Sequence, residues 1–234
     1  MSHPAPHPLA LFSLRPLNEQ ARDVVKHPFN KHFVSRYENT YALDIGHAQP
    51  ISGSNATLAT LGRNGDILLE GRSISKIQCS FEIDYETNIV MFFDRSHSQT
   101  CQVFGPNARP FEFGRPRKVV VSREINTVIG IGGIGRDLIQ FRLHWHGAGD
   151  TETVERVEKR KNAILEENPR FARTVDVTDT ALPTGMVTRI HEPGPRQPKI
   201  RAERVGDPLG VGSFGKVYAG FNVDTGQLMA IKVV

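Results

Sequence analysis

Short runs of alternating apolar and polar residues, separated by turn-forming residues, dominate the chain between residues 9 and 145. Alternation with a period of two is typical of strands that bury one face, and helical periodicity is almost absent here. Short, regularly spaced strands with Gly, Pro, Asn and Asp turns predict an antiparallel β-sandwich, so the fold class is mainly β. The predicted strands lie at 9–14, 41–45, 57–61, 67–69, 78–83, 89–93, 119–121 and 138–145.

Three segments depart from this pattern. Residues 17–38 are polar and basic and predict a long loop that has room for a short helix. Residues 150–168 carry apolar positions at helical spacing and predict a linker helix, whose charged face is interpreted as a solvent-exposed surface rather than a nucleic-acid or nuclear-targeting signal. Residues 174–199 are rich in Thr, Pro and Gly, which predicts a flexible tether.

The end of the chain has a different character, with a glycine-rich turn followed by an apolar strand that carries one cation. The sequence reads Leu209-Gly210-Val211-Gly212-Ser213-Phe214-Gly215-Lys216-Val217, then a hairpin-type turn at 224–227, then Ala230-Ile231-Lys232. Glycines let backbone N–H groups approach phosphate oxygens, and a lysine within an apolar strand is favoured where it meets an anion. The pattern therefore indicates a nucleotide-covering loop.

This G-x-G-x-x-G-x-V string with its A-I-K lysine resembles the start of a Ser/Thr protein kinase domain. The resemblance implies that Lys232 binds the α- and β-phosphates of ATP and that the glycines cover the nucleotide. We expect residues 201–234 to be a truncated kinase N-lobe. The residues that the resemblance assigns to ATP binding are Leu209, Gly210, Gly212, Ser213, Phe214, Gly215, Val217, Ala230 and Lys232.

The same resemblance sets a limit on activity. The 234 residues contain no H-R-D-type catalytic loop and no D-F-G string, so no catalytic residue can be assigned. We expect this chain alone to be inactive as a kinase, although its parent would be one. ATP and Mg²⁺ are expected as cofactors only of a complete kinase domain.

Two further strings stand out within the predicted sandwich. They read Leu61-Gly62-Arg63-Asn64-Gly65-Asp66-Ile67-Leu68-Leu69 and Ile74-Ser75-Lys76-Ile77-Gln78-Cys79. They resemble the forkhead-associated (FHA) domain, a phosphothreonine-reading β-sandwich with G-R, D-I-x-L, V-S-R-x-H-C-x-I and D-x-S-x-N-G-T elements. The last element corresponds to Asp94-Arg95-Ser96-His97-Ser98-Gln99-Thr100.

The FHA resemblance implies a phosphopeptide site at one end of the sandwich, in residues 8–147. Arg63 and Ser75 correspond to the phosphate ligands, and Lys76 adds a second cation to the same rim. Two positions depart from the family. Gln78 replaces the histidine that props the binding loop, although an amide can still bond the backbone. Ser98 replaces the asparagine that grips the peptide, which weakens the expected affinity or threonine selectivity.

Composition narrows the remaining possibilities. There is no apolar run of 18 residues and no secretory signal, so we expect a nuclear or cytoplasmic protein without a membrane partner. Cys79 and Cys101 are predicted to be buried thiols rather than a disulfide framework. His144 and His146 are interpreted as structural or surface residues, because no third metal ligand lies nearby in the sequence. The glycines of 130–135 also fit G-x-G-x-x-G but precede a strand-like run, so we assign them to a loop between strands.

Two hypotheses about function remain open. The first is a phosphothreonine-binding FHA module joined through a helix and tether (148–200) to the start of a kinase. The second is a non-catalytic scaffold with a vestigial kinase remnant. The net charge of +4 mildly favours an anionic partner, such as a phosphopeptide or a nucleic acid, and does not decide between these two. A nucleic-acid-binding β-domain is not favoured, because the aromatic stacking pattern of such platforms is missing.

Overall fold

The computed structural model describes residues 5–51, 53–133, 138–147, 155, 157–159, 199–213 and 215–233. Six antiparallel strands form the first sheet, in the order β2-β3-β1-β11-β10-β8. Each strand contributes at least one apolar side chain to the hydrophobic core. The strands are β1 (Phe12–Pro16), β2 (Val34–Tyr37), β3 (Thr40–Ile45), β8 (Gln102–Phe104), β10 (Val128–Ile131) and β11 (Ile139–Trp145).

Five strands form the second sheet, in the order β5-β4-β6-β7-β9. Its neighbours are antiparallel, except that β4 and β5 run parallel. The strands are β4 (Thr57–Gly62), β5 (Ile67–Leu68), β6 (Cys79–Ile83), β7 (Val90–Asp94) and β9 (Lys118–Val121). Within the described part of the chain the structure is therefore mainly β, as predicted.

The two sheets share one hydrophobic core. Phe12 of the first sheet meets Phe81 of the second with ring centroids 5.1 Å apart, and Phe81 meets Phe92 at 5.2 Å. These rings are fully buried. Burial of such large apolar side chains from both inner faces is the main stabilising term of a sandwich.

The basic insertion at 17–38 is more ordered than predicted. It contains helix α1 (Glu19–Lys26), a 3₁₀ turn (Pro28–Asn30) and strand β2. Asn18 caps the helix by accepting a bond from the Ala21 N–H at 3.0 Å. The buried Asn30 side chain accepts from the Leu68 N–H at 2.8 Å and donates to the Leu68 carbonyl at 3.0 Å. The insertion thereby braces β5 at the edge of the second sheet.

The glycine-rich segment at 130–135 is not wholly a loop, so that prediction was wrong at its first position. Gly130 lies inside β10 and pairs with Gln102 on one side and Gln140 on the other. A Cβ at this position would collide with the Phe104 ring, which explains why glycine suits an interior strand position here. Gly132 and Gly133 follow the strand, and Gly135 lies outside the described residues.

The predicted linker helix is described only in part. Residues 155 and 157–159 are helical, and Val157 is buried in the core. The rest of 150–168, and the predicted tether except residue 199, lie outside the described residues. No helix that the structure describes is both long and apolar enough to cross a membrane.

The C-terminal residues form a separate three-stranded antiparallel sheet, in the order β12-β13-β14. Its outer parts are solvent-exposed, with Leu209 at 71% and Val211 at 69% exposure. The sheet packs on the sandwich at the end of β13 and the turn after it, where Phe221 and Val223 are buried. It also contacts the sandwich near the start of β12, where Glu203 pairs with Arg109 at 2.7 Å. The strands are β12 (Ala202–Gly212), β13 (Gly215–Asn222) and β14 (Leu228–Val233).

Candidate functional site

Backbone hydrogen bonds bring two loops together at one end of the second sheet. The Arg63 N–H donates to the Ser75 carbonyl at 3.1 Å, and the Asn64 N–H donates to the Lys76 carbonyl at 2.9 Å. The turn after β4 and the segment before β6 therefore run side by side. Arg63, Ser75 and Lys76, which the FHA resemblance selects, are neighbours in the folded chain.

The cations on this rim are available to a ligand. Arg63 and Lys76 are exposed, while Ser75 is half-buried between them. Among the described residues, no carboxylate forms an ion pair with the Arg63 guanidinium or the Lys76 ammonium. Two unpaired cations and a hydroxyl on adjacent backbone segments form a local positive surface that can hold a dianion.

Gly62 allows this close approach. A Cβ at position 62 would overlap the Lys76 carbonyl oxygen and crowd the Gln78 nitrogen. The backbone of β4 can therefore lie against 76–78 only if residue 62 has no side chain. The glycine that precedes Arg63 in the motif sets the spacing of the two loops.

Asp66 has a structural role in the same turn. Its carboxylate accepts from the Thr60 N–H at 2.7 Å and from the Thr60 hydroxyl at 2.6 Å. The other carboxylate oxygen accepts from the Ile51 N–H at 2.7 Å. These bonds close the turn that carries Arg63 and engage both carboxylate oxygens of Asp66.

Gln78 links the Ser75 loop to a third loop. Its fully buried side chain accepts from the Ser75 N–H through Oε1 at 2.8 Å and donates from Nε2 to the Thr100 hydroxyl at 2.8 Å. The sequence predicted that an amide at this position could still bond the backbone, and the contact with the Ser75 N–H confirms it. The bond to Thr100 was not anticipated.

Asp94 organises the third loop, residues 94–101. Its carboxylate accepts from the Ser96 hydroxyl at 2.6 Å, the Ser96 N–H at 3.0 Å and the Cys101 N–H at 3.2 Å. Arg117 pairs with the same carboxylate at 2.6 Å and donates to the Gln99 carbonyl at 2.9 Å and the Cys101 carbonyl at 3.0 Å. A buried carboxylate with this many donors holds the loop in one shape.

Ser98 and Gln99 lie on the exposed tip of this loop. Ser98 reaches the Arg63 and Ser75 region only indirectly, through the Gln78–Thr100 contact. Gln99 has a φ of 50°, the left-handed region where glycine is favoured. A glutamine in this region carries a steric cost that glycine would not.

The cysteines lie beneath the loops. Cys79 and Cys101 are both buried and free of disulfides, as predicted. Burial raises the pKa of the Cys101 thiol well above its usual range, and the adjacent Cys79 raises it further. A thiol held in its neutral form is a poor nucleophile, so the Cys101 side chain fills space rather than reacts.

The two histidines near the end of β11 make structural contacts. His146 is buried and shares a 2.7 Å hydrogen bond with the Ser13 hydroxyl. The His144 ring packs against Tyr37 with centroids 4.1 Å apart. Burial lowers the pKa of His144, and the Arg15 guanidinium lowers it further. Across the described residues, no three His, Cys, Asp or Glu side chains are grouped as a metal site.

The glycine-rich sheet places part of its predicted nucleotide set on one face. Val217 pairs with Lys232 across β13 and β14, and Ala230 lies two residues along the same strand, so the three share a face. Gly215 has a φ of 118°, which suits only glycine. Phe214 lies outside the described residues.

The remaining residues of that set line an open hairpin. A Cβ at Gly210 or Gly212 would meet no atom within 4 Å, so the space beside these glycines is empty. Leu209, Ser213 and Lys232 are exposed. Gly210 pairs with Val217 and Gly212 with Gly215 in the ladder between β12 and β13, so the hairpin that carries these glycines is an ordered part of the sheet.

Sequence reasoning missed two members of the site's support. Asp94 was predicted only as a position of the FHA-like motif, and not as the carboxylate that accepts the hydrogen bonds holding the 94–101 loop. Arg117 carried no signal at all, because its partners lie 16–23 residues away in the sequence. Only the pairing of β7 with β9 brings Arg117 to the loop.

Comparisons with known proteins leave the family open. No protein-family model matches the chain, and no curated protein matches it. A crystal structure of Rad53 1-466 in complex with AMP-PNP is similar at a TM-score of 0.39 and 11% sequence identity, over 85% of this chain and 41% of that chain. The chain thus spans less than half of that structure. A likeness this low assigns no role to any residue.

Proposed function

We propose that the sandwich binds phosphothreonine-containing peptides through Arg63, Ser75, Lys76 and Ser98. The observation that carries the proposal is the pair of hydrogen bonds, Arg63 N–H to Ser75 carbonyl and Asn64 N–H to Lys76 carbonyl, which sets two cations and a hydroxyl side by side. A phosphorylated side chain carries a charge of about −1.5 to −2 and three acceptor oxygens. It matches this donor set in charge and in hydrogen bonding.

Each residue has a distinct role in the proposal. The planar guanidinium of Arg63 can donate two parallel hydrogen bonds to phosphate oxygens, and the ammonium of Lys76 adds a point charge. The Ser75 hydroxyl donates a third bond. Ser98, on the loop that Gln78 ties to Ser75, faces the peptide backbone beside the phosphothreonine. Unlike asparagine, serine has one hydroxyl there, so we expect modest affinity.

Support for a prearranged site comes from its anchoring. Gln78 ties the Ser75 loop to the 94–101 loop, and the Asp94–Arg117 pair holds the 94–101 loop itself in shape. A ligand that meets loops already held in place loses less conformational entropy on binding. The binding free energy of the phosphate contacts is then less offset by loop ordering.

The test is a titration of the chain with one peptide in phosphothreonine, phosphoserine and unphosphorylated forms. Charged hydrogen bonds contribute about 1.5–3 kcal/mol, so Arg63→Ala should weaken phosphothreonine binding by roughly 10- to 150-fold. Arg36→Ala is the matched control, because Arg36 is an exposed cation of the other sheet. If Arg63→Ala and Arg36→Ala bind every peptide as well as the unaltered chain, the proposal is wrong.

We further propose that residues 201–234 are the nucleotide-covering start of a Ser/Thr protein kinase domain, after a sandwich at 8–147 and a linker at 148–200. Support comes from the shared face of Val217, Ala230 and Lys232 and from the open glycine hairpin. ATP would meet the hairpin backbone and Lys232, and Mg²⁺ would require the parts of a complete domain. Held phosphoproteins would then be phosphorylated at a raised effective concentration.

The alternative is a non-catalytic scaffold, and activity measurements separate the two. This chain alone is expected to transfer no phosphate from γ-labelled ATP and to bind ATP negligibly. In a longer protein that also contains H-R-D-type and D-F-G-type strings, Lys232→Met should abolish phosphotransfer and leave phosphopeptide binding unchanged. Phosphotransfer that survives Lys232→Met would contradict the kinase proposal, and phosphopeptide binding without any phosphotransfer would favour the scaffold.

A further inference from the structure

A buried charge cluster holds the three-stranded sheet against the sandwich. The Asp224 carboxylate, in the turn after β13, is 6% exposed. It pairs with Arg115 of the sandwich at 2.7 Å and with Arg201 at 3.6 Å. Glu112 forms ion pairs with both arginines, at 2.6 Å from Arg115 and 3.3 Å from Arg201. A buried pair is costly to break by removing one charge, because the other charge stays desolvated.

The contact also covers an open sheet edge. β9 is the last strand of its sheet, so one side of its backbone has no strand partner. The Val120 N–H of β9 donates to the Val223 carbonyl at 2.9 Å, and Val223 and Phe221 are buried against the sandwich core. Edge strands are commonly protected by such covering segments. Both polar and apolar contacts therefore favour the docked position.

The segment that receives Asp224 also holds the proposed peptide loop. Arg115 and Arg117 are separated only by Pro116, whose ring restricts the backbone. Arg117 bonds Asp94 and two carbonyls of the 94–101 loop, and the Asp94 N–H donates to the Arg117 carbonyl at 2.8 Å. The three residues 115–117 thus contact the docked sheet at one end and the loop that carries Ser98 at the other.

We propose that docking of the three-stranded sheet and phosphopeptide binding are linked through residues 115–117. The inference rests on the proposed function of the sandwich site. When the sheet is docked, the ion pair with Asp224 holds Arg115 in place. Because only Pro116 separates Arg115 from Arg117, the position of Arg117 and of the 94–101 loop is then restrained as well. Because linkage is reciprocal, a bound phosphopeptide stabilises the docked sheet by the same factor. The position of the glycine-rich sheet would then respond to phosphorylated partners.

The test uses the full chain with Asp224→Asn, and Asp207→Asn as the matched control. Asp207 is an exposed carboxylate of β12, and its replacement by Asn removes the same charge from the same sheet. Three measurements are made: hydrogen exchange of 215–233, amide chemical shifts of residues 98–100, and affinity for a phosphothreonine peptide. Exchange of the sandwich strands shows whether each variant remains folded.

With Asp224→Asn we expect faster exchange in 215–233, shifted amides at 98–100, and peptide binding weakened about two- to thirtyfold. With Asp207→Asn we expect none of these changes. Unchanged exchange in Asp224→Asn would overturn the docking role of Asp224. Faster exchange with unmoved amides at 98–100 would overturn the linkage. The amide measurement decides this even if no phosphopeptide binds, so failure of the proposed function is recognised separately.

Discussion

Replacing Gln78 with methionine tests how the proposed site is held together. Methionine is close to glutamine in length and flexibility but lacks the amide. The change removes the acceptor of the Ser75 N–H and the donor to the Thr100 hydroxyl, both at 2.8 Å. It leaves every predicted phosphate ligand in place. Any effect on peptide binding must then arise from the positions of the loops.

The size of the effect follows from the two lost hydrogen bonds. Each contributes about 0.5–1.5 kcal/mol net, so Gln78→Met should lower the free energy of unfolding by about 1–3 kcal/mol. Thr100 is half-buried, so its freed hydroxyl can turn to water and escape the full desolvation penalty. For a chain of this size, the loss corresponds to a melting temperature lower by about 2–12 °C.

Peptide affinity should fall as well. Without the amide, the Ser75 and Thr100 loops must be ordered during binding, at about 0.5–1.5 kcal/mol, which weakens binding about two- to tenfold. Thermal unfolding and peptide titration measure the two effects. Gln102→Met is the control, because Gln102 is a half-buried strand residue of the other sheet. Equal melting temperatures and affinities for the Gln78 and Gln102 variants would refute the bridging role.

Three further predictions concern single positions. Gly62→Ala should lower the free energy of unfolding by about 1–3 kcal/mol and weaken phosphopeptide binding, because the new Cβ overlaps the Lys76 carbonyl. Gly133→Ala is the control, since a Cβ there meets no atom within 4 Å. Equal melting temperatures for the two variants would contradict this prediction. Gln99→Gly should raise stability by up to about 1 kcal/mol, since φ is 50° there, and a lower melting temperature would count against the strain. The folded chain lowers the pKa of His144 and so favours the neutral ring. The resulting stabilisation is fully present above pH about 6.5 and is lost as the pH falls through the lowered pKa. His144→Asn should therefore flatten the decline of stability on acidification, and an unchanged slope would show that His144 does not contribute.

The strands that the sequence predicted well correspond to short, mainly apolar runs between turn residues. β4, β6, β7 and β11 begin and end within one or two residues of the predicted runs. β11 buries alternate residues, whereas β4, β6 and β7 bury nearly every residue, so both alternating and continuous apolar runs indicated strands correctly. The predicted first strand was shifted, because residues 10 and 11 are buried but precede the β1 ladder.

The strands that were missed depend on distant partners. β2 lies in a polar insertion and is a strand because it pairs with β3 across a tight turn. β8 has three residues, too few for a period to be visible. β10 contains Gly130, which disfavours a strand locally but is required by the neighbouring Phe104 ring. Tertiary contacts decide these three cases.

The residues of the candidate site likewise divide into those that the sequence predicted and those that it missed. Motif spacing selected Arg63, Ser75 and Lys76, because their loops lie next to each other through local strand pairing. The supports, Arg117 and the Asp224 cluster, could not be found from the sequence. Asp224 is locally an ordinary turn residue, and its burial arises from an arginine 109 residues away in the sequence. Long-range ion pairs of this kind leave no periodic pattern.

Phosphothreonine binding by the sandwich is tested most directly by titrating the isotope-labelled chain with a phosphothreonine peptide and recording amide NMR spectra. We expect saturable shifts concentrated at Arg63, Ser75, Lys76 and residues 98–100, with no such shifts from the unphosphorylated peptide. Shifts confined to other surfaces, or none at peptide concentrations in the millimolar range, would show that these three loops are not a phosphothreonine site.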